Sequence, residues 1–496
     1  MSRPLLLIHG YSAGGLDFAP LCARLKNCGI AATDLNIGNY VSLNNEITIK
    51  DIAEGLDRAL RTKEGFAKGE EFDAIVHSTG MLVLRSWLTN YGAAVGSNDR
   101  LKRLKHLIGL APATWGSPQA HKGRTWLGAL VKGNREAGPD FMNAGDEVLD
   151  GLELGSQFTW DLAHLDLLGA NPYYSKGSGT PYVCIFIGNR PYEGLASVAN
   201  DPGTDGTVRW AGCGLNTRKI TIDLTRTPIG EDGKSTDRAT ITPWADERLD
   251  VPMIAVEGKN HASLISDPDD KMVGLIVDFL KVADDAGHQM WLDDARLFGA
   301  EAKSKMMVNP GSGAAGIVGE VGTYFGHLFG GVKVTEGWQQ FVIHARDERG
   351  DSVTDYLVDI LRLAGDKWEN FEEMYTDVHA YKTDPSYRCF HVRLPKGICD
   401  GKTPLKIRIH ASTGTELVEY QGYGSDQSRQ TMTEMAGPVE LEINDFGGKE
   451  GSLFNPFTTT LVEIVLNREP SPLNQISRLF GWWVPKGSTR TGTEST

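Results

Sequence analysis

The chain has 496 residues, too many for one hydrophobic core, and about 150 residues per domain predicts two or three structural units. Apolar residues make up 40% of the chain and charged residues 23%, as is ordinary for a globular protein. The formal net charge is −14, which argues against a phosphate backbone or an anionic lipid surface as partner, since both attract clustered lysine and arginine. We therefore expect no nucleic-acid partner.

The N-terminal sequence predicts neither a secretion signal nor a membrane anchor. Met1 to Pro4 lead directly into Leu5–Ile8, an apolar run too short for a signal peptide. Elsewhere, too, the apolar runs are shorter than a transmembrane helix. These features predict a soluble cytoplasmic protein, and a secreted form that has lost its leader stays an alternative.

Six cysteines are spread along the chain without a Cys-x-x-Cys pair, so a zinc site made of thiolates is not expected. Cys184 lies in the apolar run 182–187, which predicts a buried thiol. Cys389 and Cys399 could form a disulfide between neighbouring strands, or both could remain free thiols.

From residue 1 to about 285, short apolar runs alternate with amphipathic helical patterns. The strand-like runs are Pro4–His9, Ile30–Leu35, Asp73–His77, His106–Ala111, Tyr182–Gly188, Lys219–Leu224 and Val251–Val256. The helical patterns are Leu16–Cys28, Ile49–Ala67, Met81–Tyr91 and Lys271–Ala283. This alternation predicts a first domain over 1–285, with a mainly parallel sheet and helices on both faces. Residues 112–178 interrupt the alternation, and we expect a cap or lid over a cleft there, or else a packed extension of the core.

The second half of the sequence has a different pattern. Residues 286–335 are expected to form a glycine-rich linker, and 336–484 a β-sandwich domain of antiparallel strands. Its predicted strands are Trp338–Ala345, Tyr356–Leu363, Tyr387–Leu394, Leu405–His410, Leu417–Gln421, Val439–Ile443 and Thr458–Leu466. The apolar run Leu479–Val484 would anchor the C-terminal end to the fold or make transient contact with a lipid interface. The polar tail 485–496 is predicted to be disordered.

A buried strand runs directly into Ser78, and a helix follows Thr79 and Gly80. This arrangement is typical of a nucleophile elbow, in which a sharp turn exposes the serine hydroxyl at the carboxyl edge of the sheet. A serine in this place could instead be a simple helix N-cap. The usual Gly-x-Ser-x-Gly pattern has glycine two residues before the serine, where this chain has Val76, a side chain that would crowd the elbow.

A second glycine-rich turn, His9-Gly10, ends the first predicted strand. Together, 4–15 and 76–80 resemble the α/β-hydrolase superfamily and, within it, the lipase and esterase branch. The resemblance covers residues 1 to about 285, and residues 336–484 resemble no family known to us. It implies an oxyanion hole built from the backbone N–H groups of Tyr11 and Thr79.

The same resemblance implies that the acid follows the serine along the chain and that the histidine comes last. The Asp-Gly turn after the strand 182–188 resembles the acid loop of lipases and points to Asp205, with Asp201 as the competitor and a plain turn as the alternative. After the strand 251–256, a loop carries His261 as the base. His9 and His77 flank the expected site and are interpreted as structural, with His77 pointing to the other side of the sheet.

We expect a metal-independent serine hydrolase that cleaves carboxylic esters through an acyl-enzyme, with no cofactor. The acidic residues 267–270 after His261 are expected to form a solvated turn rather than a calcium site. The substrate would be a small-molecule or lipid ester; a phospholipase, an acyltransferase and an inactive binding relative remain alternatives. Apolar residues of the insertion could line an acyl pocket or pack a core of their own: Trp115, Trp126, Leu127, Phe141, Met142, Phe158, Trp160 and Leu165.

Overall fold

The computed structural model describes most of the chain, in segments separated by gaps. The described residues are 3–9, 18–35, 45–67, 69–89, 99–124, 145–169, 173–174, 179–193, 200–227, 229–230, 239–241, 251–309, 333–374, 376–415, 417–424, 429–432, 438–442 and 453–470. Helices and a parallel sheet occupy the first half of these residues, and β-strands dominate from residue 333 onward.

A six-stranded parallel sheet lies at the centre of the first half. Its strands are β1 (Leu5–Ile8), β2 (Ala32–Leu35), β3 (Phe72–His77), β4 (Leu104–Leu110), β5 (Tyr182–Gly188) and β8 (Met253–Val256). Their order is β2-β1-β3-β4-β5-β8, and each neighbouring pair is parallel. β1 and β5 are apolar along almost their whole length, as strands are when helices cover both faces of a sheet.

The helices form two groups around this sheet. They are α1 (Ala19–Asn27), α2 (Ile49–Thr62), α3 (Gly80–Thr89), α4 (Asp99–Arg103), α5 (Pro118–Arg124), α6 (Asp146–Leu152), α7 (Gln157–Asp166), α8 (Ser263–Ser266), α9 (Asp270–Phe279) and α10 (Asp285–Met306). α1 contacts α8 and α9, whereas α2 contacts α3 and α6. Across the sheet, the connection from β1 to β2 moves toward one edge, whereas the connections from β2 to β3 and from β3 to β4 move toward the other edge. Right-handed crossovers therefore place the two groups on opposite faces.

The chain leaves the first sheet after β5 and returns to it only at β8. In between, β6 (Thr217–Asp223) pairs parallel to the C-terminal strand β19 (Thr459–Pro470), and β7 (Ala239–Ile241) pairs with β6. The predicted strand 219–224 therefore exists but belongs to the second sheet. Its alternating burial, with only every second residue fully enclosed, fits a sandwich strand better than a strand of a doubly covered sheet.

Two sheets form the C-terminal half. The remaining strands are β9 (Val308–Asn309), β10 (Lys333–Asp347), β11 (Asp355–Ala364), β12 (Lys367–Asn370), β13 (Thr376–Ala380), β14 (Tyr387–Pro395), β15 (Leu405–Ser412), β16 (Val418–Tyr423), β17 (Arg429–Thr431) and β18 (Val439–Glu442). One sheet has the order β13-β14-β10-β19-β16-β17, with β6, β7 and β9 attached, and the other β12-β11-β15-β18. Apolar side chains of both sheets share one core, which makes this half a β-sandwich.

The sandwich differs from the prediction in two respects. β19 pairs parallel to both β10 and β6, so the larger sheet is mixed rather than antiparallel. β12 and β13 were not predicted, because both are edge strands with mostly exposed side chains and lack the apolar alternation of a half-buried strand.

Where a linker was predicted from residue 286, the structure has the 22-residue helix α10. It packs against β8, and Gly299 lies so close to that strand that a Cβ atom would come 3.1 Å from Ile254. Asp284 caps its N-terminus by accepting a hydrogen bond from the backbone N–H of Gly287. The glycine-rich part of the expected linker, 310–332, lies outside the described residues.

The insertion between β4 and β5 is anchored to the core in its described parts. The side chains of Arg85 in α3 and Asp166 in α7 are both fully buried and form a bidentate ion pair with N–O distances of 2.8 and 2.9 Å. The Tyr174 hydroxyl also donates to Asp166, and the Arg85 guanidinium donates to the carbonyl of Thr114. Because these contacts tie α7 to α3, this part of the insertion is a packed layer; residues 125–144 lie outside the described residues.

The six cysteines all lie in described segments, and none of them forms a disulfide. The possible disulfide between Cys389 and Cys399 is therefore absent: Cys389 faces Arg209 of the first half at 3.3 Å, and Cys399 belongs to a short 3-10 turn beyond β14. Cys184 is buried as predicted, and burial raises the pKa of its thiol. None of the described helices combines the length and the apolar character that a bilayer crossing requires. Leu479–Val484 and the tail 485–496 lie outside the described residues.

Candidate active site

Ser78 occupies a tight turn between β3 and α3. Its φ of 55° is in the left-handed region that non-glycine residues rarely adopt, as the strained turn of a nucleophile elbow requires. Gly80 allows helix and strand to approach, because a Cβ atom there would lie 2.6 Å from the carbonyl oxygen of Ile8 in β1. The N-terminus of α3 thus starts immediately beyond the Ser78 hydroxyl.

Val76, the unusual residue of the elbow, lies inside the parallel sheet next to β4. It is fully buried and pairs with Gly109 across the β3–β4 ladder. The side chains of Met81 and Pro112 fill the space beside Gly109, each 3.1 Å from where a Cβ atom would be. Ser78 has its left-handed backbone with Val76 fully buried in the strand before it, so Val76 does not prevent the turn.

The carboxylate of Asp205 is fully buried and held on both oxygens. Its Oδ1 accepts hydrogen bonds from the backbone N–H groups of Thr207 and Val208, at 3.0 and 2.9 Å. Its Oδ2 lies 3.0 Å from Nδ1 of His261. Because an ionised carboxylate only accepts, Nδ1 carries the proton, and Nε2 of His261 is left as the basic nitrogen. Asp205, rather than the competitor Asp201, is therefore the partner of His261.

A second backbone contact fixes the His261 loop, since the N–H of His261 donates to the carbonyl of Asp205 at 3.1 Å. The His261 ring lies 4.6 Å, between ring centroids, from the ring of His77, the residue directly before Ser78. The structure thus brings the serine, histidine and aspartate predicted from the sequence to the carboxyl edge of one sheet, from the ends of β3 and β8 and the loop after β5.

His77 is closer to this site than the sequence led us to expect. Its Nε2–H donates to the carbonyl oxygen of His261 at 3.1 Å, so the ring supports the loop of the base rather than pointing away from it. Burial lowers the pKa of His77 well below its usual value, and the nearby His261 and His9 lower it further. His77 therefore stays neutral. The signal for this role was its position next to Ser78, but only the folded loop reveals the contact.

Of the two residues proposed for the oxyanion hole, the structure describes Thr79. Thr79 is fully buried, follows Ser78 directly, and its carbonyl accepts from the N–H of Val83 in the first turn of α3. Its backbone N–H thus belongs to the group of amides at a helix N-terminus that favour negative charge. Tyr11 lies outside the described residues.

The loop that carries Asp205 is packed between the two halves of the protein. Gly203 lies against the stacked rings of Trp338 and His391, and a Cβ atom there would be 2.6 Å from both. The buried Arg209 donates to the carboxylate of Asp377 in β13 at 2.5 Å. The sandwich therefore forms one wall of the loop that positions the acid, which sequence spacing could not reveal because the partners are more than 100 residues apart.

Other candidate groups near the site have different roles. Burial raises the pKa of Cys213 well above its usual value, and the nearby Asp205 raises it further, so this cysteine is not a thiolate nucleophile. In the acidic segment after His261, Asp267 pairs with Lys259, Asp269 caps α9 and Asp270 pairs with Arg24. These contacts agree with the solvated turn predicted there.

Of the apolar residues that could line an acyl pocket or pack a core, two tryptophans lie in the core. Trp115 is fully buried, and its Nε1–H donates to the carbonyl of Gly214. Trp160 packs edge-on against His344 and Tyr387 of the sandwich. Phe158 is half-buried and packs against the core of the first half, whereas Leu165 is exposed. Trp126, Leu127, Phe141 and Met142 lie outside the described residues.

The parallel sheet, its two helical layers and the elbow at Ser78 define an α/β-hydrolase fold, followed by a β-sandwich, as predicted. Two structures of the phospholipase PlaB from Legionella pneumophila, one in complex with thio-NAD, have this fold with a TM-score of 0.68. The alignments cover 98% of this chain and 97% of PlaB, at 19% and 20% identity. The mature lipase BlEst2 of Bacillus licheniformis aligns over 56% of this chain and 91% of its own, at 14% identity and a TM-score of 0.36. No family model and no curated protein sequence matches the chain.

Proposed function

We propose that the protein is a serine hydrolase of carboxylic esters, with Ser78 as nucleophile, His261 as general base and Asp205 as the residue that orients the base. A serine hydroxyl is a poor nucleophile at neutral pH, so a nearby imidazole must take its proton. Nε2 of His261 is the nitrogen suited to this, because Nδ1 is committed to Asp205. Asp205 stabilises the imidazolium that forms.

The reaction follows from these roles. Ser78 Oγ attacks the ester carbonyl, and its proton passes to His261; the oxyanion that forms is stabilised by the N–H of Thr79 and a second amide, for which Tyr11 is the candidate. Collapse releases the alcohol with the proton from His261 and leaves an acyl group on Ser78. Water, deprotonated by His261, then attacks the acyl-enzyme and releases the acid.

The observation that carries the proposal is the combination of Ser78 at a φ of 55° with the buried pair of His261 and Asp205, whose His261 ring lies 4.6 Å, between centroids, from the ring of His77 directly before Ser78. A helix N-cap has no need of left-handed backbone or of a neighbouring imidazole whose tautomer is set by a carboxylate. These features therefore favour a nucleophile over the structural alternative.

The test is hydrolysis of p-nitrophenyl esters of increasing acyl length by the full chain and by Ser78→Ala. Ser266→Ala is the matched control, because Ser266 is exposed on the helix after His261. We expect Ser78→Ala to lower kcat by about 10⁴-fold or more and the control to retain wild-type rates. Wild-type activity in Ser78→Ala, or an inactive wild type, would contradict the proposal; the latter would favour the binding-protein alternative.

A phospholipid is the second candidate substrate, supported by the likeness of both halves of the chain to a protein described as a phospholipase. Release of fatty acid from phosphatidylcholine and phosphatidylglycerol vesicles, compared with p-nitrophenyl butyrate, would test it. Higher kcat/KM on vesicles supports a phospholipase, and activity on the soluble ester alone supports a carboxylesterase. Added glycerol as acceptor would reveal acyl transfer as a glyceride product.

A further inference from the structure

We propose that His121, Glu153 and His379 form a binding site for a divalent transition-metal ion, with Zn²⁺ as the best match, at the contact between the hydrolase half and the sandwich. His121 lies in α5, Glu153 follows the last residue of α6, and His379 lies on β13. Their ligand atoms all lie within 4.8 Å of one another. The site is separate from the serine, histidine and aspartate described above and does not depend on the proposed ester hydrolysis.

The geometry is close to that of a metal site. Nε2 of His379 lies 3.0 Å from Oε1 of Glu153, and Nδ1 of His121 lies 3.7 Å from the same oxygen. In a tetrahedral zinc site with bonds of about 2.0–2.1 Å, neighbouring ligand atoms are separated by about 3.3 Å. The two imidazole rings are 4.9 Å apart at nearly right angles, so both present a nitrogen to the carboxylate without stacking on each other. Small side-chain rotations are sufficient to place an ion between the three ligands.

The electrostatics favour a cation. The side chain of Glu153 has no solvent exposure, and a cation bound between the three side chains would help to offset the desolvation of its carboxylate. Glu153 is also the C-cap residue of α6, so the negative end of that helix adds to its charge. Asp150, one turn earlier, brings a further carboxylate, which accepts hydrogen bonds from Tyr381 and Thr383.

The choice of metal follows from the ligand types. Imidazole nitrogens with one carboxylate suit zinc and similar transition metals, whereas calcium and magnesium prefer oxygen ligands alone. Three protein ligands leave one position for water, and an ion can enter from the side of His121, whose side chain is 44% exposed. This site departs from the expectation of a metal-free protein. The sequence could not indicate this metal site, because its ligands do not form a short motif: His121 lies 32 residues before Glu153, and His379 lies 226 residues after it.

An ion at this position would hold the edge strand β13 to the hydrolase half. The backbone N–H of Lys382 also donates to Glu153, and Asp377, two residues before His379, pairs with Arg209 of the Asp205 loop. Gln119, on the same helix as His121, donates to the carbonyl of Gly206 in that loop. The site therefore lies at the contact through which the sandwich supports the acid loop, and metal binding should stabilise this contact.

The experiment is titration of the metal-stripped full chain with ZnCl₂ by calorimetry, followed by Co²⁺ substitution and visible spectroscopy. We expect one ion per chain, the absorption bands of tetrahedral Co²⁺, and a rise in Tm on addition of Zn²⁺. His379→Gln and His121→Ala should each weaken Zn²⁺ binding by about tenfold or more. His410→Gln on β15, outside the cluster, is the matched control and should bind like the wild type.

A second readout keeps the proposal testable if a variant does not fold. Crystals of the wild type soaked in ZnCl₂ should give a zinc-edge anomalous peak between the three side chains. Hydrogen exchange of the amides 376–380 should slow when Zn²⁺ is added. A peak elsewhere, no Zn²⁺ uptake by the folded wild type, or equal affinity in His379→Gln and the control would each overturn the proposal.

Discussion

At the scale of single residues, the site depends on tautomers as much as on positions. Asp205 sets the proton of His261 on Nδ1, and the carbonyl of His261 sets the proton of His77 on Nε2. Each hydrogen bond selects one tautomer of its histidine ring. Together the two hydrogen bonds hold the loop that carries His261 at the end of β3, where Ser78 lies. His77 is thus a candidate positioning residue, acting on the base through its backbone.

This role predicts a graded effect of substitutions at His77. His77→Phe removes the donor to the His261 carbonyl while keeping an aromatic ring, and we expect kcat to fall about tenfold, because one such hydrogen bond is worth about 1–1.5 kcal/mol. KM should change little, since the ring acts through the base. His77→Gln, whose amide can donate, should recover part of kcat. Steady-state kinetics of both variants on a p-nitrophenyl ester measures this, and a fully active His77→Phe would exclude the role.

The sequence was sufficient to predict that Ser78, Asp205 and His261 lie at one edge of the sheet, because each follows a strand whose apolar pattern is clear and whose end faces that edge. It was not sufficient for His77, whose contact depends on how the loop 257–262 folds back. Val76 suggested a crowded elbow, yet the structure combines the left-handed turn at Ser78 with a fully buried Val76 next to Gly109 of β4. Sequence thus predicted the groups at strand ends and missed those defined by pairing between distant segments.

At the scale of elements, the approach of α3 to β1 permits no side chain at residue 80. We expect Gly80→Ala to destabilise the protein by about 2 kcal/mol or more, because its Cβ atom would overlap the backbone oxygen of Ile8. Gly274→Ala in α9 is the control: nothing lies within 4 Å of its Cβ atom, and alanine favours a helix by up to about 1 kcal/mol. Urea unfolding measures both changes. Equal stabilities of the two variants would show that the helix can move away from the strand.

The buried ion pair between α3 and α7 gives a second prediction at this scale. Burial alone would lower the pKa of Arg85, but Asp166 outweighs that effect and raises it, so the guanidinium stays charged. Asp166→Asn leaves this charge buried without its counter-ion, and we expect a loss of about 3–5 kcal/mol. Asp161→Asn, exposed on the same helix, should change stability by less than about 1 kcal/mol. A small effect of Asp166→Asn in urea unfolding would mean that water reaches Arg85.

At the scale of the whole molecule, the two halves are interleaved rather than joined end to end. β6 comes from within the hydrolase half yet pairs with β19, and the Asp205 loop rests on Trp338 and His391. Local apolar patterns predicted both architectures, since each strand has its own signature. The pairing of β6 with a strand more than 200 residues away has no local signature, which is why the sequence placed it in the wrong sheet.

Acid should weaken this assembly. Burial lowers the pKa of His77 and His391 well below 6.5 and that of His344 to about 4, so each is neutral in the folded protein at pH 5.5 but protonated when unfolded. The unfolded chain then binds more protons, and stability falls as pH drops below 6.5. Relative to a pH well above 6.5, each fully buried histidine lowers the free energy of unfolding by about 1.4 kcal/mol at pH 5.5.

The measurement is urea unfolding between pH 7.5 and 5.5. We expect the free energy of unfolding to decrease by at least about 2 kcal/mol over this range, and His391→Gln to show a shallower decrease than the wild type. Stability that is constant or increases toward pH 5.5 would mean that these histidines gain protons in the folded protein.

The central claim is that Ser78 is the nucleophile of a serine hydrolase. Labelling of the full chain with a fluorophosphonate, followed by peptide mass spectrometry, tests it most directly, because the reagent phosphonylates a serine that an adjacent base activates. We predict a single adduct on Ser78, which His261→Gln should strongly slow. An adduct on another residue, or no adduct on the folded protein, would contradict the account.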